Sequence, residues 1–322
     1  MSIEQSLEQA ETRAAGSTAA EGEEIPSFRA FHLQVLRTRR LSPSFMRITF
    51  TGDDLDSFAD NGFDQRVKVI LPLADGTFTP IGDDSDWYLR WRALPEALRN
   101  PIRTYTVRAV RQEPLKPAEL DIDFVLHGDT SPASRWATYA APGHRVVVIG
   151  PNAAFPGPAG GQEWAPPAGT SRILLAGDET AVPAIASIAE SLPADARARV
   201  LLEVPEAADA LPLSVPPGVE VTWLPREGAR HGDLLVPAVR EALTGLGVSG
   251  GAQETLEDVD VDAEILWEVP EAAPRDGGFY AWLAGEAGVV KTLRRHLVQE
   301  AGVDRSSVAF MGYWRMGRSE ID

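Results

Sequence analysis

The sequence predicts two domains of different class: an N-terminal antiparallel β barrel and a C-terminal α/β domain with a parallel sheet. Three observations predict it. From Phe28 to about Pro151, apolar residues alternate in short runs broken by Pro-, Gly- and Asp-containing turns, the mark of half-buried strands. A Pro/Gly/Ala stretch, residues 157–169, then has the composition of a linker. Beyond it apolar strands alternate with helical stretches, which means a parallel, helix-flanked sheet.

Taken in order, residues 1–27 are rich in Glu, Ala and Ser and read as a disordered acidic tail. In the barrel domain, residues 28–156, Met46, Ile48 and Phe50 share one face of a strand while Arg47, Thr49 and Thr51 share the other. Similar strands are expected at Val67 to Leu71, Arg103 to Val110, Leu120 to His127 and Arg145 to Ile149. The stretch Asp83 to Arg99, with Trp87, Tyr88, Trp91 and several arginines, interrupts them as a long loop or short helix. In the second domain, residues 170–322, strands are expected at Arg172 to Ala176, Val200 to Val204, Val219 to Leu224, Phe279 to Ala284 and Val308 to Tyr313. Helices are expected at Val182 to Leu192 and Glu286 to Glu300, the second with Val289, Leu293 and Leu297 on one face. Residues 251–272 hold eight acidic side chains and no basic one, and read as a solvated insertion in which Ile265, Leu266 and Trp267 could dock locally.

Composition closes several function classes. The chain has 322 residues, 30 Lys plus Arg against 47 Asp plus Glu, a net charge of −17 and no cysteine. Disulfides, thiolate zinc, a cysteine nucleophile and a cysteine-ligated iron–sulfur cluster are therefore excluded, and redox chemistry would need a bound cofactor. With that charge and no basic run, a nucleic acid partner is not expected. Nor is a membrane span, since no stretch approaches the roughly 18 apolar residues one requires. The tail lacks a basic n-region and an apolar h-region, so the cytoplasm is the expected location. None of His32, His127, His144, His231 and His296 falls at metal-ligand spacing.

The chemistry-bearing residues lie in three strings. In Arg103-Thr104-Tyr105-Thr106-Val107-Arg108, Arg103 and Tyr105 point the same way from a strand. A guanidinium to grip a diphosphate, a ring to cover a flat cofactor and a hydroxyl near a ring nitrogen suit a flavin dinucleotide, although an edge strand with exposed arginines would read the same. The second string, His127-Gly128-Asp129-Thr130-Ser131-Pro132-Ala133-Ser134-Arg135-Trp136-Ala137, follows a strand and opens a helix, either as a pyrophosphate cradle or as simple capping by Ser131 with Pro132 at the first helical position. The third, Ala176-Gly177-Asp178-Glu179-Thr180-Ala181-Val182-Pro183-Ala184, ends the first strand of the parallel sheet, outside which ligands bind. A GxGxxG fingerprint is absent there, so an ordinary tight NAD(P) site is not expected.

With Ala284-Gly285-Glu286 and the closing Met311-Gly312-Tyr313-Trp314-Arg315-Met316-Gly317, these strings resemble the siderophore-interacting protein family of FAD-dependent ferric-siderophore reductases, from about Phe28 to about Gly317. The resemblance implies a ferredoxin-reductase-like architecture, with FAD on the barrel and an α/β domain that accepts NAD(P)H or reduced ferredoxin. It implies that Arg103 binds FAD phosphate, Tyr105 stacks on the isoalloxazine, and Thr106 hydrogen-bonds near N5, with Val107 beside them. His127, Gly128, Ala133, Ser134 and Trp136 would line the rest of the FAD site, approached by Asp178, Glu179, Thr180 and Ala181. Lys68, Arg135 and Lys291 would attract an anionic ferric siderophore, and a monomer is expected. The family often has glycine where Thr130-Ser131 stands, and a small or basic residue and glycine after Gly150-Pro151-Asn152. Rival readings are a general NAD(P)H-dependent flavin or ferredoxin-type reductase and a non-catalytic siderophore-binding protein. The charge does not oppose an anionic ligand: residues 1–25 carry −5 and residues 251–272 carry −8, which leaves about −4 on the rest.

Overall fold

A computed structural model describes residues 25–82, 86–129, 131–248, 261, 265–270 and 278–317. Most of the acidic tail, residues 1–24, most of the acidic insertion, and Thr130 lie outside the described residues. The chain divides into two compact units between Gln162 and Glu163.

Six strands close the first unit: β1 (Phe28–Arg40), β2 (Phe45–Thr51), β3 (Arg66–Ile70), β4 (Ile102–Arg111), β5 (Glu119–Val125) and β6 (Arg145–Pro151). Their order is β1-β2-β5-β4-β3-β6, and the pairing of β1 with β6 completes an antiparallel barrel that has no free edge. Alternation drives it. Phe31, Leu33 and Val35 of β1, Ile48 and Phe50 of β2, Val67 and Val69 of β3, and Leu120, Ile122 and Phe124 of β5 meet in one buried core. β1 spans 13 residues because a bulge between Val35 and Arg37 lets it bend from β6 onto β2. Outside the barrel, α1 (Trp87–Ala93) buries Trp87 and Trp91 against Ile70, Ile102, Val147 and Ile149, so the expected interruption is a short helix. Helix α2 (Pro132–Thr138) follows β5 and contributes Ala133 and Ala137 to the core.

The second unit is a six-stranded sheet of order β10-β12-β11-β7-β8-β9, built from β7 (Arg172–Gly177), β8 (Ala198–Val204), β9 (Val219–Pro225), β10 (Trp267–Glu268), β11 (Phe279–Glu286) and β12 (Val308–Trp314). All pair in parallel except the edge strand β10. Helix α3 (Val182–Glu190) connects β7 to β8, and α4 (Leu235–Gly245) and α5 (Ala287–Arg294) pack on the face that carries Leu174, Ala176, Leu201, Leu283 and Phe310. Helix α5 continues as a π turn, Arg295–Glu300, so the expected helix to Glu300 changes its winding rather than ending. From β7 the chain steps outward to β8 and β9, then returns to the other side of β7 as β11. The gap between the carboxyl ends of β7 and β11 is thus the topological switch point, the place where open α/β sheets bind ligands.

Candidate functional site

On the barrel, β3 and β4 sort the predicted residues by face. Tyr105 pairs with Val67 and Arg103 with Val69, both core positions, whereas Thr104 pairs with Lys68 and Thr106 with Arg66. The Tyr105 ring packs 4.3 Å from that of Phe124, and Val107 is buried in the core. Arg103 is half-buried and donates from Nη1 to the Ile102 carbonyl at 2.7 Å. Lys68, facing the other way, sets its ammonium 5.5 Å from the Tyr88 ring centroid of α1. Lys68 and the pair Arg103 and Tyr105 therefore stand on opposite faces of the strands that carry them.

Ser131 occupies the cap position of α2 with Pro132 after it, but its side chain makes no capping bond. The polar tie is instead Ser134, buried at 1% exposure, whose Oγ accepts from the His127 backbone N–H at 2.9 Å. That bond fixes the turn out of β5. Gly128, in the same turn, has φ +86°, and a Cβ there would meet nothing within 4 Å, so its backbone faces open space. Trp136 stacks on Phe50 with centroids 6.2 Å apart and tilts onto Phe124 at 5.8 Å, while Ala133 is buried and Arg135 is exposed. This donor set fits FAD: a guanidinium and an aromatic ring on β4, the ring resting on Phe124, and an open glycine backbone in the turn after the neighbouring strand β5.

In the α/β unit the carboxyl ends of the strands carry a buried polar cluster. Glu179 accepts two bonds from Arg226, at 2.7 and 2.8 Å, and lies 3.2 Å from His231 Nε2. Glu203, fully buried on β8, accepts from the backbone N–H groups of Gly232, Leu234 and Leu235 at the start of α4. Glu286 caps α5 by accepting from Val289 N–H at 2.9 Å and also meets Arg315 Nη1 at 3.1 Å. Asp178 accepts from Thr180 in the turn into α3, from the Glu286 N–H at 2.7 Å and from Trp314 Nε1 at 2.8 Å. At α4 and α5 backbone donors of the first turn are thus already taken by a carboxylate of the same unit, and Asp178 holds the turn that leads into α3. This is the physical counterpart of the missing GxGxxG string, whose backbone would otherwise cradle a diphosphate.

The cluster pulls its acids apart. Burial, with the charge of Glu179 behind it, pushes the Asp178 carboxyl up to about 6. Against its own burial, the bonds from His231 and Arg226 hold Glu179 down, and the same contact with Glu179 raises His231. Of the predicted string, Asp178, Glu179 and Ala181 are buried and Thr180 is half-buried. Lys291 is half-buried on α5. Glu203, Arg226 and His231 were not singled out as site residues. A lone glutamate in the apolar run Val200-Leu201-Leu202-Glu203-Val204 was a usable signal, whereas Arg226 and His231 sit in a loop without a motif.

A closed antiparallel barrel with this donor set, together with a parallel α/β unit, defines the ferredoxin-reductase-like class of FAD-binding proteins. Residues 34–155 match the model of the siderophore-interacting FAD-binding domain and residues 170–317 that of the siderophore-interacting protein. The chain belongs to the siderophore-interacting protein family. It is 31% identical to the ferric vibriobactin reductase ViuB of Vibrio cholerae over 294 residues, which cover 89% of this chain and 90% of that protein. The solved siderophore-interacting protein SipS from Aeromonas hydrophila superposes with a TM-score of 0.64 at 31% identity, covering 92% of this chain and 95% of SipS. Over a shorter span of 122 residues, 37% of this chain and 43% of the relative, it is 39% identical to an NADPH-dependent ferric-chelate reductase of Escherichia coli. No helix among the described residues is long and apolar enough to cross a membrane.

Proposed function

We infer that this chain is an FAD-dependent oxidoreductase that reduces siderophore-bound iron(III) to iron(II). The observation that carries the reading is its extent: both family modules match in order, and the likeness to a ferric vibriobactin reductase spans 90% of that enzyme. FAD supplies the link between a two-electron hydride donor and one-electron iron chemistry. In this reading Arg103 binds the diphosphate, Tyr105 covers the flat ring from its seat on Phe124, and Thr106 hydrogen-bonds near the flavin N5 with Val107 beside it in the strand. The turn His127-Gly128, held by Ser134 and walled by Ala133 and Trp136, carries the rest of the cofactor. The α/β unit accepts the reductant, Asp178, Glu179, Thr180 and Ala181 keep the flavin-site role that the family resemblance implies, and the 39% identity to an NADPH-dependent reductase supports a nicotinamide as donor. Lys68, Arg135 and Lys291 supply positive charge for an anionic ferric chelate. Hard oxygen donors grip iron(III) better than iron(II), so reduction loosens the metal for release.

The test is anaerobic turnover with NADH, NADPH or reduced ferredoxin against a panel of ferric siderophores, with iron(II) trapped by a chromogenic chelator. Iron(II) formation that depends on bound flavin is expected. A protein that cannot be loaded with FAD would refute the reading. Arg103→Ala is expected to weaken FAD binding about tenfold or more, as befits a lost charge-assisted bond, read by flavin absorbance after gel filtration. Lys291→Ala is expected to keep its flavin but to slow reduction of an anionic chelate and flatten its salt dependence.

A further inference from the structure

Asp178 joins three strand ends through one carboxylate. Its Oδ1 accepts from the Thr180 N–H at 2.9 Å and the Thr180 hydroxyl at 2.5 Å, and its Oδ2 accepts from the Glu286 N–H at 2.7 Å and Trp314 Nε1 at 2.8 Å. Four donors fill the acceptor positions of a carboxylate. Gly285 makes the room: its φ is +145°, and a Cβ there would stand 2.6 Å from Asp178 Oδ2. The half-buried Trp314 ring in turn meets His231 edge to face at 4.9 Å, and His231 Nε2 lies 3.2 Å from Glu179 Oε1. Asp178, Trp314, His231 and Glu179 therefore form a closed loop that begins and ends on adjacent residues of the turn after β7.

At 3% exposure Asp178 is covered from any substrate, whereas Trp314 ends β12 beside the switch point. We propose that Asp178 is a positioning residue for reduction of the flavin, acting by clamping Trp314 at the carboxyl edge of the sheet where the flat ring of a nicotinamide dinucleotide docks. This rests on the reading of the α/β unit as the reductant's domain. The clamp is strongest when Asp178 is ionised. A proton added to Oδ1 can be accepted by the Thr180 hydroxyl, which can turn round, but the Glu286 N–H and the Trp314 indole can only donate. Protonation therefore replaces a charge-assisted bond to Trp314 by a weaker neutral one or breaks it. The groups around Asp178 are Glu179 on its own turn, Glu203 of β8, Arg226 and His231 between β9 and α4, and Glu286 with its partner Arg315 at the ends of β11 and β12. Burial and Glu179 place the carboxyl at about 6, within reach of a mild pH titration.

The test follows the indole N–H of Trp314 by NMR in the flavin-loaded protein, with 15N-tryptophan; Trp314→Phe identifies it among the eight tryptophans. From pH 8 to pH 5 the resonance is expected to shift with a midpoint near 6, and to lose that midpoint in Asp178→Asn. In stopped-flow, Asp178→Asn is expected to raise the KM for the nicotinamide about tenfold, the worth of one charge-assisted bond, and to slow reduction by the donor more than re-oxidation by a ferric chelate. Trp314→Phe, which leaves the buried carboxylate in place, is expected to raise the donor KM equally and to remove its dependence on pH. An indole that titrates identically in Asp178→Asn, or a donor KM unaltered by Trp314→Phe, overturns the positioning role. Failure of every nicotinamide to reduce the flavin overturns instead the donor reading on which it rests.

Discussion

On the outer face of the barrel, Arg37, Arg111 and Arg47 alternate with Glu119, Asp121 and Asp123 across four strands. Each acid there has at least one guanidinium on it, and Asp121 also accepts from Thr49 at 2.6 Å. At the carboxyl edge of the α/β sheet, four carboxylates, Asp178, Glu179, Glu203 and Glu286, share two guanidinium groups and one imidazole, and backbone or indole N–H groups supply the remaining donors. The two regions teach different uses of charge. On the barrel wall, acids, of which Asp121 and Asp123 are buried, pair across strands with partly exposed guanidinium groups and hold the register. Buried carboxylates satisfied by backbone donors fix where loops and helix starts lie, and they are costly if one partner is lost.

The largest expected effect follows from that cost. Arg226→Ala leaves Glu179 and Glu203 buried without their shared cation, and a loss of about 3–5 kcal/mol in unfolding free energy is expected. Urea unfolding monitored for the α/β unit checks it. A loss under about 1 kcal/mol would mean that the backbone donors alone satisfy the cluster, and the contrast with the barrel would fail.

Next in size is Gly285→Ala. Its Cβ would approach the Asp178 carboxylate to 2.6 Å at a φ that side chains rarely adopt, so a cost of about 1–3 kcal/mol is expected. The variant should also lose the pH-dependent shift of the Trp314 indole, since the carboxylate must move.

The two regions should also respond to acid with opposite sign. The bonds from Arg37 and Arg111 hold Glu119 down to about 2, so its contribution is full above the ordinary value of 4.5 and is lost as pH falls from there towards 2. Asp178 is raised from 3.8 to about 6, so the folded state binds its proton more tightly, and the α/β unit gains stability as pH falls from about 6 towards 3.8. His231, raised above 6.5, adds in the same direction at higher pH. Between pH 6 and 4.5, therefore, hydrogen exchange corrected for its intrinsic rate should show the β7 and β11 amides better protected while those of β5 stay level. Falling protection in both units across that window would refute the assignment.

What could be read from the sequence follows the range of the interactions. The barrel strands were legible because Met46, Ile48 and Phe50 alternate with polar neighbours within a single strand. Helix α4 was not anticipated, although Leu235, Val239 and Leu243 have helical spacing; Pro237 in its first turn, where proline is tolerated, masks the pattern. Strand β10 lies inside the acidic stretch read as an insertion, where only the Ile265 to Trp267 trio gave a hint. On the barrel, Arg103 and Tyr105 share a strand, so two-residue spacing sufficed to place them on one face. The α/β cluster had no such signal, because Glu179 and Arg226 are 47 residues apart and Asp178 and Trp314 are 136 apart. Only the folded sheet brings them together.

The smallest effect lies at the exposed end of the barrel ladder. The Arg37 side chain is 51% exposed, and its pair with Glu119 is the kind of surface contact that contributes only about 0.2–1 kcal/mol. Arg37→Ala should therefore barely move the urea midpoint. It should nonetheless be visible in titration, because the Arg37 bond is the leading cause of the lowered Glu119 carboxyl. Without it Glu119 keeps only the bond from Arg111 at 2.8 Å, and its carboxyl should titrate higher while remaining below 4.5. Carboxyl 13C chemical shifts followed against pH decide this. A Glu119 that returns fully to 4.5 would mean that Arg111 serves Asp121 alone, and the ladder would then be a set of separate pairs rather than one alternating row.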